Sequence, residues 1–165
     1  MSVNLTSRML QLVWGHRKTL VLCLITALVT APVYFGFIAL LLAPVFLAWT
    51  TYSLFVIWST PARRTSQSLK LLMWAMTFFT VAGFHYYYYQ AARQAADKVA
   101  AALRLYKARD AQLPAAWDAN PDSERWKIRY LAHDGRPFLI YTATFSHFAH
   151  YYYDFASESW RYVES

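Results

Sequence analysis

The first ninety-six residues contain no aspartate or glutamate; all nine acids lie at or beyond Asp97. Before that point the only ionic side chains are basic: Arg8, Arg17, Lys18, Arg63, Arg64, Lys70 and Arg93. The net charge of +7 therefore belongs to the front of the chain. A nucleic-acid binder would gather such charge into a groove, whereas these bases flank long apolar runs, a pattern that excludes nucleic acid as a partner and suits control of membrane topology. Cysteine is almost absent. The lone Cys23 excludes an internal disulfide and, lying within an apolar run, reads as a small apolar side chain. Glycine is scarce too, with four isolated residues, which excludes a phosphate-cradling glycine loop.

What is plentiful is apolar and aromatic. Apolar residues make up 58% of the chain, and it holds 13 Tyr, 11 Phe and 7 Trp, a composition richer than that of ordinary soluble domains. Residues 19–58 carry no charged side chain. A helix needs about 20 apolar residues to cross a bilayer, so forty suggest two passes, broken near Ala31-Pro32-Val33-Tyr34-Phe35-Gly36. Residues 71–89 form a third uncharged run ending in His85-Tyr86-Tyr87-Tyr88-Tyr89. The sequence thus predicts a membrane domain over 1–89 with three transmembrane helices at about 18–33, 37–58 and 71–89. Pro44 should kink the second helix, and 59–70 should be a polar loop. Trp14, Trp58 and Tyr86, Tyr87, Tyr88 and Tyr89 are the expected interface anchors, because their rings suit the headgroup level. The apolar character runs too far for a cleaved signal peptide. The positive-inside rule then puts the N-terminus and the loop bearing Arg63 and Arg64 in the cytoplasm, and the C-terminal part outside, in the periplasm of a multi-pass inner-membrane protein.

From Gln90 the pattern changes. Ala92, Ala95, Ala96, Val99, Leu103 and Tyr106 recur at helical spacing, and Arg93 and Asp97 stand four apart as a helical ion pair. Nothing breaks this stretch from the third apolar run, so one long helix should leave the membrane. After a loop marked by Pro114, Asn120, Pro121 and Asp122, the period falls to two. Strands are expected at 126–130, 137–144, 151–155 and 160–163, the first two joined at Asp134-Gly135. The soluble part, 90–165, should be a small α+β domain with the long helix packed on a four-stranded antiparallel sheet.

The segment Val99-Ala100-Ala101-Ala102-Leu103-Arg104-Leu105-Tyr106-Lys107-Ala108-Arg109, followed by Leu113-Pro114-Ala115-Ala116-Trp117-Asp118, resembles the region after the helix in type IV pilins and type II secretion pseudopilins. So does the order of a membrane helix running into an amphipathic helix and then a meander. The resemblance covers about 71–165 and implies a helix-on-sheet fold and a place beside pilus or secretion subunits. Two departures matter: Gly83-Phe84 lies at the far end of its apolar run, and no glutamate precedes Glu124. The chain is therefore not expected to be processed and polymerised as a pilin.

No catalytic or cofactor-binding residues are assigned. His147 and His150 are the one close histidine pair, too few ligands for a metal without partners. Ser146, His147 and Asp154 lack the glycine-flanked serine elbow of a hydrolase. Within the runs only Cys23 and His85 are ionisable, which argues against a proton relay. On the third strand Tyr151, Tyr153 and Phe155 should face the helix, leaving Tyr152 on the other face. With Arg129 and Lys127 it forms the expected contact surface for a protein partner, aromatic and basic. The function expected is a membrane-anchored, non-enzymatic interaction protein whose partners are the lipid bilayer and a pilus or secretion subunit. The alternatives are an immunity protein shielding the membrane from a toxin, and a small intramembrane enzyme or transporter.

Overall fold

A computed structural model describes residues 14–110, 112–114, 117, 121–133 and 136–164. Arg8, Ala115, Ala116, Asp118, Asn120 and the Asp134-Gly135 turn lie outside the described residues. The chain divides into two compact units. One comprises Met1–Pro32 and Gly36–Phe84; the other joins the short piece Val33–Phe35 to His85–Ser165.

The first unit is helical. Helix α1 (Arg17–Thr30) has 14 residues, α2 (Phe37–Ser59) has 23, and a 3-10 turn (Pro61–Arg63) leads into α3 (Arg64–Asp110), a continuous helix of 47 residues. Pro32 ends α1 because it offers no N–H to continue the ladder, while Ala31 before it keeps helical dihedrals and donates to the Ala27 carbonyl. Pro44 sits inside α2, which runs on through it.

Of the three membrane spans expected, Phe37–Ser59 alone among the described residues is a helix long and apolar enough to cross a membrane. The expectation of three transmembrane helices is overturned, and the reason is length. The 18–33 run yields only the 14 residues of α1, about 21 Å at 1.5 Å per residue, against a hydrocarbon core of about 30 Å. The 71–89 run is bounded by Lys70 and His85 and ends in four tyrosines, which are only weakly apolar, so its fully apolar part is again short. The supposed loop at 59–70 is also smaller than expected, because α3 already begins at Arg64.

The exterior of this unit is nonetheless apolar on all three helices. Leu28 is 75% exposed on α1, Leu47 is 74% exposed on α2 and Phe79 is 76% exposed on α3. Five of the hydroxyls set among these side chains turn back on their own helices. Thr30 donates to the Thr26 carbonyl, Thr51 to Leu47, Ser59 to Phe55, Thr77 to Met73 and Thr80 to Met76, at 2.7–2.9 Å, so they need no water. An aromatic seam joins α2 to α3: Phe46 meets Trp74 and Phe78 edge-on, with ring centres 4.5 and 4.6 Å apart.

The second unit is a helix on a sheet. Strands β1 (Arg129–His133), β2 (Arg136–Thr142), β3 (Ala149–Asp154) and β4 (Ser159–Glu164) form an antiparallel meander in the order β1-β2-β3-β4. A short helix, α4 (Pro121–Arg125), precedes β1. Alternation sends Leu139, Tyr141 and Tyr153 to one face, where they meet Ala92, Ala95, Ala96, Val99, Ala100 and Leu103 of α3. The small side chains on the helix leave room for large rings on the sheet: Tyr141, Leu139 and Leu103 are all fully buried. The α+β organisation agrees with the sequence expectation. The first strand differs in detail. Trp126 and Ile128 are buried in the expected alternation, but Lys127 has φ of 52° and the ladder begins only at Arg129. A positive φ takes the backbone out of the extended region before pairing can start.

Candidate interaction surface

The face of the sheet turned away from α3 has exposed side chains on both edge strands, Arg129 and Leu131 on one and Arg161 and Val163 on the other, and its residues follow from the register. Arg129 pairs with Ile140, Ile140 with Tyr152, and Tyr152 with Arg161. One row thus runs across all four strands as arginine, isoleucine, tyrosine, arginine. Three strand spacings of about 4.8 Å separate its ends by about 14 Å. Beside it, Leu131, Phe138 and Asp154 are in register on the same face, as are Thr142, His150 and Val163 on the other side. Phe138 packs on Tyr152, with ring centres 5.9 Å apart, while Leu131 and Val163 are 44% and 45% exposed. The centre is apolar, with Arg129 at one end and Arg161, beside Asp154, at the other.

The charges on this face differ in how far they are engaged. Arg161 reaches Asp154 at 3.4 Å, with both side chains largely exposed, a pairing worth little in water. Asp154 also accepts the Ala156 backbone N–H and the Ser157 hydroxyl, each at 2.9 Å. These bonds, the Ala156 N–H foremost, hold its carboxyl below the usual carboxylate range. The Arg129 guanidinium has no ion pair or hydrogen bond among the described residues. Asp154 and His150 stand four residues apart on β3, about 14 Å along an extended strand, so they do not form an acid–base pair.

Of the residues singled out from sequence, the structure brings Tyr152 and Arg129 into one row. Lys127 is drawn elsewhere: its ammonium lies 4.4 Å from the centre of the Tyr34 ring. Tyr34 has φ of 75°, an uncommon conformation for a bulky residue. Its N–H donates to the Thr144 carbonyl at 2.7 Å, which ties the 33–35 piece to the segment after β2, and burial raises its phenol pKa. Phe138, Ile140 and Arg161 belong to the surface and were missed. The alternation within 136–142 was the available signal for the first two, while Arg161 needed the register.

The expected anchors divide. Trp14 is 67% and Trp58 82% exposed, and Tyr86 and Tyr87 point outward. Tyr88 instead packs against the sheet unit's core, and Tyr89 lies against Tyr151 with ring centres 6.3 Å apart. The helical repeat separates them: 85, 88, 89 and 92 share one face, and 86 and 87 lie off it.

Behind the sheet, α3 and β4 are latched together. The Arg93 guanidinium lies 4.9 Å from the Trp160 ring centre and pairs with Asp97 at 3.2 Å. The Trp160 indole N–H donates to the other Asp97 oxygen at 2.8 Å. Nearby, Tyr141 stacks on Tyr151 at 5.0 Å. Its buried hydroxyl has no hydrogen-bond partner among the described residues. Burial pushes its pKa up to about 12, with Arg93 pulling the other way. Among the described residues no group of three His, Cys, Asp or Glu side chains is placed to hold a metal ion. No protein-family model matches the sequence, and no curated protein or solved structure is significantly similar to it.

Proposed function

We propose that this chain is a membrane-anchored, non-enzymatic interaction protein, an accessory of a pilus or secretion machine. In this reading the helical unit lies in the cytoplasmic membrane, and the helix-on-sheet unit offers its uncovered face to a protein partner. The observation that carries the proposal is the contrast between the two units. One has an apolar exterior and a helix able to cross a membrane. The other has its apolar side chains gathered in a closed core, with one sheet face left open. An aromatic centre between arginines is a common composition for protein-binding hot spots. The pilin-like part of the reading is supported by the order of elements: a helix running out of an apolar segment into a four-stranded meander that packs on it.

The sheet unit lies outside the cytoplasm in this proposal. Residues 33–35, directly before the crossing helix, fold with the sheet. Arg63, Arg64 and Lys70 follow the helix's other end. The positive-inside rule keeps that basic end in the cytoplasm.

The test is a photo-crosslinking amino acid at position 152, irradiated in intact membranes. An adduct with a pilin, pseudopilin or secretion subunit is the expected result. An adduct with a toxin would replace this reading with that of an immunity protein, and the absence of any protein adduct would overturn it.

A further inference from the structure

We infer that the partner segment received by the outer sheet face is acidic, with an apolar side chain set between two carboxylates about 14 Å apart. This rests on the proposed function and specifies the chemistry of its site. The argument is one of charge and shape. The row Arg129, Ile140, Tyr152, Arg161 puts a guanidinium at each end of an apolar centre, and Phe138 broadens that centre against Tyr152. Arg129 is unengaged among the described residues, and Arg161 is held only by an exposed contact of 3.4 Å, so both are available to an incoming anion. An extended segment advances about 3.4 Å per residue. Carboxylates four residues apart therefore span the row on one face of the segment, and the residue midway between them points at Ile140 and Tyr152. A second copy of this chain is a poor occupant: two such faces related by a two-fold axis would bring arginine against arginine, and like charges across an interface are strongly unfavourable.

The experiment uses the full chain in nanodiscs of a zwitterionic lipid, panned against a library of random dodecapeptides. Arg129→Glu/Arg161→Glu protein in the same discs serves as the counter-selection. Enrichment of peptides with two acids flanking an aromatic or aliphatic residue is expected. Their binding should weaken about tenfold or more on the double charge reversal and fall as salt rises. Unchanged hydrogen exchange in β2 and β3 would show that the charge-reversed protein is still folded. Enrichment without acid preference, no enrichment, or equal binding to both proteins would each overturn the inference. Preferential capture of phosphatidylglycerol vesicles over the peptides would do so as well, by assigning the face to lipid. If the position-152 adduct forms with equal yield in the charge-reversed protein, the interaction reading stands and the acidic partner falls; if no adduct forms at all, the interaction reading itself falls.

Discussion

Replacing Leu103 tests the helix-on-sheet packing most sharply, because its neighbour two residues on supplies the control. Leu103 is fully buried between α3 and the sheet, while Leu105 on the same helix is 74% exposed. Leu103→Ala removes three heavy atoms from a filled core, and such truncations cost about 2–5 kcal/mol. A unit of about 80 residues has a total stability of about 4–12 kcal/mol, so the loss is a large fraction of it. Leu103→Asp adds a charge with no partner in the apolar core, and the unit should unfold. Leu105→Asp faces water and sits near the carbonyl end of the helix, so its cost should stay below about 1 kcal/mol. The assay is amide exchange in detergent micelles, read at β2 and β3. For Leu103→Ala, exchange there should quicken roughly thirty- to several-thousand-fold, one decade per 1.4 kcal/mol, and for Leu105→Asp it should scarcely change. Equal protection in Leu103→Asp and Leu105→Asp proteins would refute the packing of α3 on the sheet.

Three further outcomes follow from the same unit. Ala96 is fully buried where the helix approaches the sheet, so Ala96→Leu should overfill the core and cost about 1–3 kcal/mol in denaturant titration. Trp160→Phe keeps a ring beneath Arg93 but removes the N–H donated to Asp97; because Asp97 is half exposed, the loss should be about 1 kcal/mol. Tyr141 has its pKa raised by burial to about 12. Its contribution is therefore intact below pH 10 and lost as pH climbs from 10 towards 12, since the unfolded chain releases that proton first. Tyr141→Phe should accordingly move alkaline unfolding, followed by near-ultraviolet circular dichroism, to higher pH; a midpoint unchanged or lowered would contradict the buried hydroxyl.

The second unit was more legible than the first, for a physical reason. Its stripe of Ala92, Ala95, Ala96, Val99 and Leu103 and its alternating strands are local periodicities, and periodicity is set by backbone geometry that sequence exposes directly. Strand limits were less legible. Trp126 and Ile128 alternate as strand residues do, yet the left-handed Lys127 delays pairing to Arg129. In the first unit, lack of charge was read as sufficient for a span, but length decides, and Pro32 cuts α1 to 14 residues. Arg63, Arg64 and Lys70 were read as a loop because they are charged, although arginine and lysine are good helix formers and α3 takes in two of them. The interaction surface was half visible. Tyr152 and Arg129 stand out by type, but Arg161 joins them only through two intervening strands, and register across a meander is not written in any one strand.

The central claim is that Phe37–Ser59 crosses the membrane with its basic end inside. Alkaline phosphatase, active only outside the cytoplasm, fused after residue 36 or after residue 66 tests it most directly. The account predicts an active fusion at 36 and an inactive one at 66, beside Arg63 and Arg64; two fusions reporting the same side would contradict it.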